Sequence, residues 1–177
     1  MRIIAGTFGG RLFDSPKSAI THPMSDKARG GLFNALGDLS GLGVLDAFAG
    51  SGALSFEAIS RGAKSVLAIE SDSTAQKTIA ANIANLSLPQ IKLVRANAGS
   101  WLRTTPDAMF DVVVCDPPYD DLQPKLLAEL AQRTKPGGIA VFSLPPKADF
   151  KLLDSEYQLV ATKSYGDIEL AFYRRIS

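Results

Sequence analysis

The chain of 177 residues contains few of the residue types that build covalent or metal-centred sites. It has one cysteine and one histidine, which excludes an intramolecular disulfide and leaves no recognisable zinc cluster. No apolar run reaches the length of a transmembrane helix, and the N-terminal MRIIAGTFGG lacks the apolar core of a signal peptide. We therefore expect a cytoplasmic protein without a membrane partner.

Net charge is also small, at +1, and by itself says nothing about a nucleic-acid partner. Its distribution is uneven, because residues 1–35 contain five basic and two acidic residues, whereas the remainder contains 14 basic and 16 acidic residues. A basic segment on a slightly acidic body is typical of an edge that faces a polyanion, but an ordinary solvated surface explains the charge equally well. The basic residues of this segment are Arg2, Arg11, Lys17, Lys27 and Arg29.

From residue 43 onward, apolar strand-like runs alternate regularly with helical patterns. The predicted strands are 43–48, 65–70, 91–96, 110–115 and 137–144, and the predicted helices are 53–61, 72–86, a short one around Trp101, and 122–133. Such alternation predicts right-handed crossovers and a doubly wound, mostly parallel α/β sheet with both faces covered. Segments 157–166 and 167–175 indicate a closing antiparallel hairpin with its turn at Gly166-Asp167. We expect Ser71 or Ser73 to cap the second helix.

Residues 1–40 do not follow this alternation of strands and helices. RIIAG and GRLFDSP indicate two short strands joined through Gly9-Gly10, followed by a helix that Ser25 or Asp26 caps. Between them, His22 lies in a polar turn, where a surface position is expected. The chain is thus predicted to divide into a small β-hairpin and helix extension over 1–40 and an α/β domain over 41–177.

The first strand-to-helix turn reads VLDAFAGSGALSFE and places Asp46, Gly50 and Gly52 where doubly wound sheets bind ligands. The third glycine of the dinucleotide fingerprint is missing, and the Asp46 carboxylate would repel a pyrophosphate. The same carboxylate favours a cationic ligand, and S-adenosylmethionine carries an ammonium and a sulfonium but no phosphate. Glu70 and Asn97, at the next two strand ends, are candidates to accept from ribose hydroxyls and from the adenine amine, although each alone is also an ordinary turn or cap residue.

The fourth strand ends in Asp116-Pro117-Pro118-Tyr119. Neither proline can donate to a strand ladder, and each restricts the residue before it, so the loop is stiff. The Asp116 carboxylate and a loop carbonyl are placed to accept both hydrogens of an exocyclic aromatic amine, which directs the nitrogen lone pair at the methyl donor. Tyr119 is placed to stack on the base that carries the amine. We predict these four residues to be catalytic.

These motifs resemble the bacterial 16S ribosomal RNA guanine-N2 methyltransferase family. The segments that carry the resemblance are MRIIAGTFGGRLFDSP, HPMSDKARGGLFNAL, LDAFAGSGALSFEAISRGA, DPPYDD and YGDIELAFYRR, so it covers essentially the whole chain. The resemblance implies a seven-stranded Rossmann-like methyltransferase sheet, S-adenosylmethionine as cofactor, and methylation of the N2 amine of a guanine in 16S ribosomal RNA. It also implies that the 1–40 extension grips the RNA.

The residues that the resemblance assigns to the methyl donor are Asp46, Gly50, Gly52 and Glu70. The chain differs from the family pattern at residues 22–27, at Gly30-Gly31 and at Asn97. The small net charge favours an assembled small-subunit particle over naked RNA as the substrate, and we expect a monomeric protein.

Three other functions have to be weighed against this one. Adenine-N6 methylation of DNA or RNA uses the same amine chemistry, although nothing in the sequence supplies a separate DNA-reading helix. A non-catalytic RNA-binding protein is disfavoured because Asp116 and Tyr119 are both present. Methylation of a glutamine amide usually goes with asparagine, not aspartate, before the two prolines.

Overall fold

The computed structural model describes residues 1–17 and 24–177, so His22 and its expected surface position lie outside the described residues. Within these residues the helices are α1 (Asp26–Leu36), α2 (Ala53–Ser60), α3 (Ser73–Leu86), α4 (Ala98–Thr104) and α5 (Pro124–Ala131). The strands are β1 (Gly43–Asp46), β2 (Ser65–Glu70), β3 (Ile91–Arg95), β4 (Phe110–Cys115), β5 (Thr134–Leu144), β6 (Tyr157–Tyr165) and β7 (Ile168–Arg175). None of the described helices is both long and apolar enough to cross a membrane.

The seven strands form one sheet in the order β3-β2-β1-β4-β5-β7-β6. Strands β1 to β5 are parallel, and β7 lies antiparallel between β5 and β6. The strand order changes direction between β1 and β4, which is where open α/β sheets bind ligands. The predicted doubly wound fold with a C-terminal hairpin is confirmed, as is the position of the fourth strand beside the first.

Some predicted boundaries were wrong for local reasons. Strand β5 begins at Thr134 and not at residue 137 as predicted, and a register shift between Phe110 and Val112 of β4 accommodates the additional residues within the sheet. Helix α3 is capped by Asp72, whose carboxylate accepts from the N–H of Ala75 at 2.7 Å, and not by either neighbouring serine. Helix α5 is shorter than predicted because Pro124 occupies its first turn. The Ser25 cap of α1 is confirmed.

The N-terminal segment forms an antiparallel hairpin with one isolated bridge, between Arg2 and Leu12, and not two regular strands. Backbone hydrogen bonds join Met1 and Ile3 to residues 10–13, but the N–H groups of residues 4, 5, 7 and 8 bond to α2 instead of continuing a strand ladder. The carboxylate of Glu57 accepts from the N–H groups of Ile4 and Ala5 at 2.7 and 3.1 Å. These bonds fasten the segment to the helix that follows the glycine loop.

The buried apolar side chains form two clusters, which pack the helices against the sheet. Ile3 and Phe13 of the N-terminal segment lie in the same cluster as Phe33 of α1 and Phe56 of α2. The extension therefore shares a core with the α/β body, and its separate role as an RNA-facing unit stays a prediction. The other cluster includes Cys115.

Candidate active site

An open cavity of about 1830 Å³ lies at the carboxyl ends of the parallel strands. Most of the predicted site residues line it: Gly50, Glu70, Asn97, Asp116, Pro117, Pro118 and Tyr119. They follow four different strands, β1 to β4, so the parallel sheet itself brings them together. The other two predicted residues, Asp46 and Gly52, are buried and do not belong to the lining.

The glycine loop adopts a conformation that requires glycine at residue 52. Gly52 caps α2 with a φ of 80°, and a Cβ built there would lie 2.7 Å from the ring of Phe56. Gly50 also has a positive φ, of 54°, and it faces the cavity. Gly52 thus shapes the turn, whereas Gly50 and its neighbour Ser51 form the surface on which a ligand would rest.

The Glu70 carboxylate is fixed in orientation by two backbone donors. The N–H of Gly50 donates to one oxygen and the N–H of Asp72 to the other, both at 2.7 Å. Each carboxylate oxygen has a second lone pair, so Glu70 can still accept from a pair of vicinal hydroxyls. This geometry fits the predicted contact with the ribose of the cofactor.

Asp46 is a buried carboxylate in which only one of the two oxygens has a hydrogen-bond partner among the described residues. Its Oδ2 accepts from the hydroxyl of Ser55 at 2.6 Å, and its Oδ1 has no hydrogen-bond partner among the described residues. Burial, together with the nearby carboxylates of Asp116 and Glu70, raises the pKa of Asp46 to about 7, although the hydrogen bond from Ser55 opposes this rise. A buried oxygen without a donor beside other carboxylates favours a cationic ligand. The residues present therefore fit S-adenosylmethionine.

This electrostatic arrangement predicts that binding of the methyl donor depends on the ionisation of Asp46. A cation binds the carboxylate and not the carboxylic acid, so affinity for S-adenosylmethionine should fall as the pH drops through about 7. Calorimetry of the purified protein should show this loss, with proton release on binding near neutral pH. The Asp46→Asn variant should bind clearly more weakly, and its affinity should no longer follow that ionisation. An unchanged pH profile in Asp46→Asn would contradict the assignment.

Asn97 lies at the third strand end as predicted, but part of its side chain is already used. Its Oδ1 accepts from the N–H of Ser100 at 2.7 Å and thereby caps α4. A contact with the adenine amine has to use the second lone pair of this oxygen. The contact stays a prediction.

The proline loop, residues 116–119, is anchored by a residue outside the set predicted from the sequence. The hydroxyl of Tyr119 lies 2.7 Å from the hydroxyl of Ser143, a fully buried residue of β5. Burial raises the pKa of Asp116 to about 6, and a hydrogen bond from Ser143 opposes that rise. The signal in the sequence is that Ser143 is a single polar residue within the apolar run 139–144.

The basic residues of the N-terminal segment differ in exposure, because four are exposed and one is buried. Arg11 stacks over the ring of Phe8 and is exposed, as are Lys17 and Lys27. Arg2 is also exposed, and its side chain pairs with Asp26 at 3.2 Å. These four positions are compatible with an RNA contact, which stays a prediction.

The prediction that Arg29 contacts RNA is wrong. Its side chain is fully buried and donates to the carbonyl of Arg2 at 2.8 Å and to Asp26 at 2.9 Å. It also lies 3.9 Å from the buried carboxylate of Glu57. Arg29 therefore belongs to an internal ion-pair network that joins α1, α2 and the N-terminal hairpin.

The comparisons with known proteins agree with this geometry. The family model described as "Conserved hypothetical protein 95" matches residues 1–174. The Ribosomal RNA small subunit methyltransferase D of Haemophilus influenzae is 31% identical over 180 residues, which cover 98% of this chain and 93% of that protein. The protein of the same name from Escherichia coli K12 is 38% identical over 122 residues, 67% of this chain and 60% of its own length.

Solved structures extend the similarity to the whole fold. The structure of yhhF from Escherichia coli, described as a candidate methyltransferase, superposes with a TM-score of 0.87 at 27% identity and covers 100% of this chain and 98% of that one. The protein SMU.776, solved with bound SAH, shares the fold at a TM-score of 0.68 and 14% identity over 83% of this chain and 48% of that one.

Fold and site together define a Rossmann-like methyltransferase. The chain belongs to the family of bacterial small-subunit ribosomal RNA methyltransferases. The predicted cofactor, S-adenosylmethionine, fits the carboxylates of Asp46 and Glu70 at the strand ends.

Proposed function

We propose that the protein transfers a methyl group from S-adenosylmethionine to the exocyclic N2 amine of a guanine in small-subunit ribosomal RNA. The observation that carries the proposal is the shared cavity, in which Asp116 and Tyr119 lie beside the residues that fit the methyl donor. The names of the relatives, which specify the small ribosomal subunit, support RNA of that particle as the substrate.

In this proposal the bound cofactor supplies an electrophilic methyl group on its sulfonium. Glu70 orients the ribose of the cofactor. The buried carboxylate of Asp46, at the end of β1, stabilises the positive charge of the cofactor. Asp116 accepts a hydrogen bond from the target amine, which draws the nitrogen towards tetrahedral geometry and directs its lone pair at the methyl carbon. The ring of Tyr119, held by Ser143, stacks on the flipped base.

After transfer the amine nitrogen has to lose one proton, and Asp116 is the group placed to receive it. With a pKa of about 6, the carboxylate is mostly ionised at neutral pH and can accept a proton briefly before releasing it to water. The rate of transfer should therefore decline as the pH falls through about 6, because protonated Asp116 can no longer accept.

The exposed cations of the N-terminal hairpin are proposed to contact RNA phosphates. Replacing Arg11 and Lys17 by alanine should weaken RNA binding and flatten its salt dependence, because each lost phosphate contact removes released counterions. Binding measured at several salt concentrations checks this, and donor affinity should not change. The matched control is Lys151→Ala, an exposed lysine whose neighbours Phe150 and Leu152 belong to the apolar cluster that does not contain the N-terminal segment. Equal salt slopes in the double variant and the wild type would refute the RNA contact.

The function is tested by incubating the protein with labelled S-adenosylmethionine and small-subunit particles from cells that lack it. We expect label in N2-methylguanosine after nucleoside analysis, with the monomeric protein as the active form. Particles should accept more label than naked RNA, since the small net charge offers few phosphate contacts. Label in N6-methyladenosine would establish the alternative adenine activity, and no transfer at all would favour a non-catalytic RNA-binding protein.

A further inference from the structure

We propose that Ser143 is a positioning residue that joins Tyr119 and Asp116 into one hydrogen-bonded chain and so holds the Asp116 carboxylate towards the target amine. The inference rests on the proposed function, because it concerns the group that accepts from that amine. It adds a residue outside the Asp-Pro-Pro-Tyr motif to the site.

The sheet register places Ser143 at this position. Cys115 of β4 is the partner of Phe142 of β5, so the next residues, Asp116 and Ser143, follow side by side at the carboxyl edge of the sheet. Ser143 is fully buried, and its Oγ lies 2.7 Å from the hydroxyl of Tyr119. A buried hydroxyl on a rigid central strand has a fixed direction, unlike a hydroxyl on a surface loop.

The direction of the hydrogen bonds follows from the donors available. An ionised carboxylate only accepts, so the single hydroxyl hydrogen of Ser143 points to Asp116. Ser143 can then only accept from Tyr119, whose hydroxyl donates. The pKa of Tyr119 is raised to about 12, chiefly by burial, so this hydroxyl keeps its proton at neutral pH. Hydrogen bonds arranged in one direction polarise and strengthen each other.

The charged and titratable groups around Asp116 determine how much its ionisation depends on the Ser143 hydroxyl. Asp46 approaches from β1, and its carboxylate and that of Asp116 disfavour each other's ionisation. The Cys115 thiol on β4 is buried and its pKa is raised, so it stays neutral. Asp167, at the turn between β6 and β7, adds negative charge near Tyr119. Burial disfavours the ionised form of Asp116, whereas the Ser143 hydroxyl favours it.

The first test is the pH dependence of methyl transfer in Ser143→Ala. Without the hydroxyl, Asp116 should stay protonated to higher pH, so the acidic limb of the kcat/KM profile should move upward. A hydrogen bond to a charged group is worth about one pKa unit, so the rate should fall about tenfold below pH 6 and about twofold at pH 7. Much of the loss should disappear at alkaline pH. Tyr119→Phe should shift the limb in the same direction but less, and adding it to Ser143→Ala should change little further.

The matched control is Thr134→Val, on the same strand. The Thr134 hydroxyl is equally buried and has no hydrogen-bond partner among the described residues, so its removal should leave the pH profile unchanged. Binding of S-adenosylhomocysteine by Ser143→Ala should match the wild type and show that the fold is intact. An acidic limb that stays in place in Ser143→Ala, or that moves equally in Thr134→Val, would overturn the proposal.

A second readout does not depend on activity. The Asp116 carboxyl can be titrated by carbon-13 NMR in the protein without substrate, with its signal assigned through Asp116→Asn. We expect the pKa of Asp116 to be higher in Ser143→Ala than in the wild type, and an equal value would overturn the inference. If the wild type transfers no methyl group while this titration difference is present, the proposed function fails and the role of Ser143 in orienting Asp116 stands.

Discussion

Replacing Asp116 by alanine is expected to abolish methyl transfer while leaving the fold and donor affinity largely intact. The carboxylate is proposed to contact the amine most strongly as the transition state forms, so its removal lowers kcat more than it affects binding. A loss of at least about 100-fold is expected for a positioned acid–base group. Transfer of labelled methyl to small-subunit particles measures it, with calorimetry of S-adenosylhomocysteine as the test of donor binding.

Two further variants give this experiment an intermediate case and a control. Asp116→Asn keeps an acceptor oxygen but loses the charge, so partial activity is expected. Asp107→Ala removes an exposed carboxylate before β4, at the end of that strand remote from the cavity, and should behave as the wild type. Full activity in Asp116→Ala would contradict the mechanism, because no step proposed here proceeds without that acceptor.

The largest effect on stability is expected from Glu57→Ala. This fully buried carboxylate accepts from two backbone N–H groups of the N-terminal segment and from Arg61, and it lies beside buried Arg29. Its removal leaves the Arg29 guanidinium, whose pKa burial already lowers, with less compensating charge. Breaking a buried pair by removing one partner costs roughly 3–5 kcal/mol.

Urea unfolding monitored by circular dichroism measures this change in the free energy of unfolding. Glu129→Ala, which removes an exposed acid from α5, is the matched control and should stay within about 0.5 kcal/mol of the wild type. Similar losses in the two variants would show that the buried network contributes no more than a surface charge.

The strands and the proline loop, residues 116–119, were predictable because short stretches of sequence determine them. A parallel strand buried on both faces reads as a continuous apolar run, as 112–115 does, and two prolines mark where it ends. Once β1 and β4 are recognised as neighbours, the cluster formed by Glu70 and Asp116 follows from topology.

The missed features depend on contacts between residues distant in the chain. Arg29 reads as a surface cation until the Glu57 carboxylate, on another helix, is known to lie beside it. Ser143 gains a role only through the register of β4 against β5. The N-terminal segment looks like two strands, but the N–H groups of Ile4 and Ala5 bond to the Glu57 side chain of α2, and no local pattern encodes that.

The central claim is tested most directly by mass spectrometry of small-subunit RNA from a strain that lacks this protein. We predict that one N2-methylguanosine is missing from that RNA, that a plasmid copy of the wild type restores it, and that the Asp116→Ala copy does not. An unchanged set of methylated guanosines, or loss of an N6-methyladenosine instead, would contradict the account.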